Sequence, residues 1–168
     1  MPNTQFPMAD LFHVGVVVED IHEAIAAYSA TGATFTEVRD ITLEVVLDGV
    51  RRTEHMFAAY TKQGPPYLEL IQELEGNIWG SDALDLNHLG YWAEDVEATA
   101  KTLEQAGFTL RMMPPASPPR IAYLSGPGSI WVELCGPGVR TMLAEWLTTS
   151  YAGPDSLPVR PPALPTRS

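Results

Sequence analysis

The chain has 168 residues, 45% of them hydrophobic, enough for one compact domain or two small halves sharing a core. With a net charge of −11 and a pI near 4.6, its surface repels nucleic-acid phosphates and anionic lipid headgroups. The adjacent Arg51 and Arg52 are too small a basic cluster to reverse that. The single Cys135 has no partner for an internal disulfide, the first eleven residues show no signal-peptide pattern, and no run approaches the ~18 apolar residues of a membrane helix. A cytoplasmic protein acting on a small molecule, without nucleic-acid or membrane partners, is expected.

In chain order, His13 to Val18 is a β-branched run that reads as a strand. Asp20 then caps a helix whose apolar positions Ile21, Ala24, Ile25 and Tyr28 fall at helical spacing, and Gly32 stops it. A second strand is expected to begin at Phe35 to Val38 and a third to run from Thr53 to Thr61. Gly64-Pro65-Pro66 turns the chain into a fourth at Tyr67 to Gln72. The second half repeats this grammar: a strand from Asn87, a helix after Asp95, a stop at Gly107, and strands at Thr109 to Met112 and Arg120 to Leu124. The turn Gly126-Pro127-Gly128 leads into a last strand at Ile130 to Cys135. Residues 140–151 read as a short helix with Met142, Leu143, Trp146 and Leu147 on one face, and residues 152–168 as a proline-rich extended tail.

The halves are related in detail. Residues 13–34 (HVGVVVEDIHEAIAAYSATGAT) and 88–109 (HLGYWAEDVEATAKTLEQAGFT) share His, Gly, Glu-Asp, Gly and Thr at one constant offset, and Tyr67-Leu68-Glu69-Leu70 is echoed by Trp131-Val132-Glu133-Leu134. The expected fold is therefore α+β, with two tandem βαβββ modules (residues 11–74 and 86–137) in one domain over 11–137. A three- or four-stranded sheet cannot bury both faces alone, so the modules must pack together.

Singly, Glu69 and Glu133 would be ordinary solvent-facing strand residues, because alternate strand positions face opposite ways and the flanking leucines and valine face helices. His13 and His88 would be ordinary structural histidines. The repeat changes that reading. It puts His on the first strand and Glu on the fourth strand of each module, so a pseudo-twofold relation brings all four toward one point. Two neutral imidazoles and two carboxylates balance a divalent cation and leave positions open for substrate, which suits Fe, Co, Ni, Mn or Zn in a catalytic site. Gly15 and Gly90, two residues after each histidine, either keep space beside the metal or allow strands to pack closely.

On His13-Val-Gly, Leu68-Glu69-Leu70, His88-Leu-Gly and Val132-Glu133-Leu134, the chain resembles the vicinal-oxygen-chelate superfamily, the glyoxalase/bleomycin-resistance/dioxygenase group. The resemblance implies a cupped mixed sheet around one divalent metal held by His13, Glu69, His88 and Glu133. It also implies an isomerase, epimerase or lyase that removes a proton next to a carbonyl, and a homodimer. By the same resemblance Glu133 acts as the base, or Glu54 on the third strand does. The alternatives are an Fe(II) ring-cleaving dioxygenase, made less apt by the fourth ligand Glu69, and a metal-free sequestering protein of the bleomycin-resistance kind, which generally lacks the quartet. The pocket rim is expected from the segments around Asp40 to Arg51 and Pro114 to Arg120, with Trp79, Tyr91, Trp92 and Trp131 as candidate lining aromatics.

Overall fold

Both halves begin with a strand that hands over to a capped helix. A computed structural model describes residues 10–80, 87–128 and 131–156; the expected strand residue Ile130 and the tail beyond residue 156 lie outside these. After β1 (Leu11–Val18), Asp20 accepts hydrogen bonds from the His22 and Glu23 backbone N–H groups and starts α1 (Ile21–Ser29). After β5 (His88–Trp92), Asp95 does the same for α2 (Val96–Gln105) through Ala98 N–H. These carboxylates satisfy N–H groups that the first helical turn leaves unpaired. Gly32 and Gly107 follow the helices at φ 98° and 95°, a conformation a side chain would strain.

The third and fourth strands of module one are β3 (Val50–Tyr60) and β4 (Tyr67–Gln72). Its second strand departs from expectation. Phe35 makes only an isolated bridge to Thr61, and β2 runs from Arg39 to Leu47. The reason is the Asp48-Gly49 dipeptide, whose two residues both take positive φ (47° and 83°), as a tight two-residue hairpin requires. That turn sets the register, so β2 and β3 pair from Arg39↔Ala58 to Leu47↔Val50. Module two supplies β6 (Thr109–Met113), β7 (Ile121–Ser125) and β8 (Trp131–Cys135). The last helix, α3, spans Pro137–Trp146 and so starts and ends earlier than the expected 140–151. Pro137 presets the first helical turn, and beyond Trp146 the Thr148 and Thr149 hydroxyls turn back onto the Glu145 and Trp146 carbonyls.

The eight strands close in the order β1-β4-β3-β2-β6-β7-β8-β5, with both modules contributed by the same chain. Within each module the first and fourth strands are parallel. The modules meet at two antiparallel seams, β1 with β5 and β2 with β6. Alternation sorts the side chains. Outward-facing Phe57, Ala59 and Leu70 pack under Ile21 and Ile25 of α1, and Ala122, Leu124, Val132 and Leu134 pack under Val96, Ala100 and Leu103 of α2. The inward faces share a third cluster that includes Met56, Ile71, Tyr123 and Trp131.

The β2–β6 seam is short, paired only at Val46↔Met113 and Leu47↔Met112. Asp48 clasps it: its carboxylate takes two hydrogen bonds from the Arg111 guanidinium, at 2.6 and 2.8 Å, and its N–H donates to Arg111 O at 2.8 Å. The Arg111 hydrogen bonds hold the Asp48 carboxyl below its usual pKa. The stability from this pair is therefore fully present above the unfolded-state value near 3.8 and is lost as pH falls through the lower folded value. Because the Asp48 side chain is 48% exposed, solvent screening keeps the contribution to about 1 kcal/mol or less. Urea melts of Asp48→Asn against the parent should differ by that amount at pH 7 and converge once the pH has fallen below the lowered folded value. A gap that persists at the acid end would mean that the backbone turn, and not the ion pair, holds the seam.

Candidate metal centre

His13 sits on β1 where the register with β5 slips, so that Leu11 faces Tyr91 and His13 faces Gly90. The bulge lets both Phe12 and His13 turn inward, at 2% and 0% exposure. Phe12 stacks flat on Trp92 (3.5 Å between ring centroids) and meets the His13 ring edge-on at 4.3 Å, which fixes the imidazole by packing. The seam is reciprocal, with Gly15 facing His88. A Cβ placed on Gly15 would lie 2.0 Å from the His88 ring, and one placed on Gly90 would lie 1.9 Å from the His13 ring. The two glycines therefore have one role: each is the floor on which the other module's histidine lies.

The parallel pairs then bring the glutamates alongside. β4 puts Glu69 next to Gly15, and β8 puts Glu133 next to Gly90. His13 Nε2 lies 3.3 Å from Glu69 Oε2, 3.0 Å from Glu133 Oε2 and 2.9 Å from His88 Nε2. His88 Nε2 lies 3.2 Å from each carboxylate. All four side chains are buried, and the four donor atoms lie within 4.8 Å of one another.

An imidazole Nε2 carries at most one proton, yet each here faces two carboxylate oxygens and a second Nε2. Such convergence calls for a shared positive charge. Donors held ~2.1 Å from a common ion lie ~3.0 Å apart at right angles and ~3.4 Å apart at tetrahedral angles, and the four histidine–carboxylate separations, 3.0 to 3.3 Å, fall in that range. The same demand for positive charge shifts the protonation equilibria. Burial opposes ionisation of all four groups, but hydrogen bonding and charge attraction within the cluster outweigh it. His88 is raised to about 10 and His13 is raised, Glu69 is lowered to about 2 and Glu133 is lowered. The residues thus fit a divalent cation by distance, donor type and charge.

Two tyrosines complete the floor. Tyr60 on β3 pairs in register with Glu69, and Tyr123 on β7 with Glu133. Their rings meet His13 and His88 edge-on, at 5.7 and 5.2 Å. Burial, reinforced by the nearby glutamates, pushes both phenols well above their ordinary pKa, so they stay protonated donors. The signal for them lay in Ala59-Tyr60 and Ala122-Tyr123, a repeated pair on the strand before the last turn of each module.

Above the quartet opens a cavity of about 270 Å³. Glu69, Glu133, Tyr60 and Tyr123 reach it from below, and Ile41, Leu43, Met56 and Ile121 wall it. The two segments expected at the rim do contribute, through Ile41 to Glu44 and through Pro114 with Arg120, although the first of these is strand and not loop. The candidate aromatics do not. Trp79, Tyr91 and Trp131 are buried in the core and Trp92 stacks on Phe12, while the tryptophan that reaches the cavity is Trp146 of α3.

Glu54 lies apart from the quartet. It is six residues along β3 from Tyr60 and is buried at 3% exposure, with its carboxylate 2.6 Å from Arg52 Nε and accepting from Ile78 N–H. Burial raises its pKa despite the guanidinium.

A family model described as the glyoxalase/bleomycin resistance protein/dioxygenase superfamily matches residues 12–123. No curated protein matches the sequence. Among solved structures, hypothetical protein BH1468 from Bacillus halodurans C-125 is similar in fold, with a TM-score of 0.54 and 16% identity over 75% of this chain and 92% of that one. A methylmalonyl-CoA epimerase aligns at 20% identity and a TM-score of 0.45, covering 75% of this chain and 93% of that one. The trypanothione-dependent glyoxalase I of Leishmania major aligns at 16% identity and 0.32, covering 80% and 91%. With the matched model spanning two-thirds of the sequence over the strands and helices described above, the chain belongs to the glyoxalase/bleomycin resistance protein/dioxygenase superfamily.

Proposed function

We propose that the protein is a metal-dependent isomerase, epimerase or lyase that removes a proton from a carbon next to a carbonyl. The observation that supports this reading is that the two glutamates of the converging quartet line a cavity, the space a substrate would fill. His13, Glu69, His88 and Glu133 would hold one divalent ion of the Co, Ni, Mn, Fe or Zn class. When bound, the ion would supply Lewis-acid stabilisation of an oxyanion on a substrate with two adjacent oxygens.

The chain's own residues do the rest. Glu133 borders the cavity, where a base must stand to accept the proton. Tyr60 and Tyr123 keep their protons and can donate hydrogen bonds to substrate oxygens. The mainly apolar walls would lower the local dielectric around a bound substrate, which strengthens each of these interactions.

The test is hydrogen exchange. With metal present, α-hydroxyketones or thioesters that serve as substrates should exchange their α-hydrogen with deuterium oxide, and Glu133→Gln should slow this by roughly 10²- to 10⁴-fold. Because Glu133 is also a proposed ligand, metal content is measured on the same sample. Glu54→Gln should keep both metal and exchange. Loss of exchange with metal retained would assign the base to Glu54 instead. Stoichiometric dioxygen uptake in place of exchange would replace the reading with a ring-cleaving oxygenase.

A further inference from the structure

We infer that this site takes a compact, mainly apolar substrate, aromatic or branched aliphatic, with two adjacent oxygens at one end and at most one further negative charge. The inference rests on the metal-site reading above. It is carried by the walls of the cavity. Apart from the quartet and its tyrosines, the lining is dominated by Ile41, Met56, Ile121, Met142 and Trp146, and methionines adapt to rings and branched chains alike. The volume, about 270 Å³, is at the small end for a ligand pocket, room for a ring or a short branched chain.

Charge excludes the larger carriers. A peptide or nucleotide conjugate brings several carboxylates or phosphates that need cations at the cavity mouth. Among the described residues Arg120 is the only cation that lines the cavity. The other described arginines already face carboxylates: Arg39 with Glu37, Arg51 with Glu44, Arg52 with Glu54, Arg111 with Asp48, and Arg140 with Glu94. Glu44 adds a negative charge to the lining, and a net charge of −11 repels polyanions at longer range.

Selectivity then resides in α3, which lies outside the repeated modules and roofs the cavity with Val139, Met142 and Trp146. The helix is held in place. Trp146 Nε1–H donates to Glu37 O at 2.9 Å, and Glu37 N–H donates to Thr149 Oγ1 at 3.0 Å.

The experiment titrates two bidentate oxygen ligands, benzohydroxamate and acetohydroxamate, into protein loaded with Co(II), reading the visible spectrum. Benzohydroxamate should bind about 10- to 100-fold more tightly, the gain expected from burying a phenyl group. Neither coenzyme A nor S-benzylglutathione, each at millimolar concentration, should displace it. Met142→Glu should take up Co(II) normally but cut the phenyl advantage below about threefold. Should that variant misfold, Met142→Ala should weaken benzohydroxamate and favour the bulkier 2-naphthohydroxamate. Equal affinity for the two hydroxamates, or displacement by either conjugate, would overturn the inference while leaving the metal reading intact. Failure to take up Co(II) would instead strike the metal reading. Calorimetry on the metal-free protein then decides the substrate class: a retained preference for the phenyl ligand upholds it, and no preference rejects it.

Discussion

Protein purified without chelator should carry close to one equivalent of a first-row divalent metal, and His13→Ala or His88→Ala should weaken that binding by well over 100-fold. Changes to groups that merely orient ligands cost about 10- to 100-fold, and these substitutions remove a nitrogen donor outright. They also leave the two buried carboxylates with only one imidazole between them, a strongly unfavourable state without a cation. The parent should therefore melt at a higher temperature with metal than without, by the usual linkage of ligand binding to stability, and each alanine variant should lose most of that increment. Elemental analysis and paired melts with and without chelator are the measurements. No metal after reconstitution with Co, Ni, Mn, Fe and Zn, or parental occupancy in both variants, would reject the site.

Gly90→Ala should be nearly as damaging to metal binding as removing His13 itself, although residue 90 offers no ligand. Its new methyl group would lie 1.9 Å from His13 Cε1, so the ring must leave its position. The ring is held on its other sides by Phe12 and Tyr60, and a buried overpacked site costs about 1–3 kcal/mol. Gly15→Ala should act likewise on His88, at 2.0 Å. The informative comparison is with Gly32→Ala, where a Cβ meets nothing within 4 Å but φ is 98°; that variant should lose stability through backbone strain and keep full metal stoichiometry. If Gly90→Ala binds metal as the parent does, the histidine is not held where the seam places it.

Much of the candidate site was legible from self-similarity. A His at the start and a Glu near the end of each half, at matched positions, needed no structure to be grouped, because a duplicated module repeats its side-chain directions along with its backbone. Tyr60 and Tyr123 follow the same logic, standing in the repeated pairs Ala59-Tyr60 and Ala122-Tyr123 one strand earlier in each half. The Asp48-Gly49 dipeptide is itself a hairpin signal, and the register it sets starts β2 at Arg39 and not at Phe35. By contrast, the separation of Glu54 from the quartet and the choice of Trp146 over Trp79, Tyr91, Trp92 and Trp131 depend on contacts between distant segments.

Local rules reach the two βαβββ modules apart from the bounds of β2, the helix caps at Asp20 and Asp95, and the grouping of the four residues, because caps and strand alternation act over a few residues and the repeat carries them across. That the glutamates are dry follows only from closure of the sheet. On one strand, the side opposite the leucines reads as solvent, and only closure of the sheet through the β1–β5 and β2–β6 seams turns that side into an interior, where Glu69 and Glu133 are 3% and 7% exposed. Tertiary structure also decided what Gly15 and Gly90 are for, since the ring each one accommodates comes from the other half of the chain, and it brought α3 over the cavity as a roof. These are relations between elements far apart in sequence, set by how the two modules meet in one closed sheet, and no local pattern encodes them.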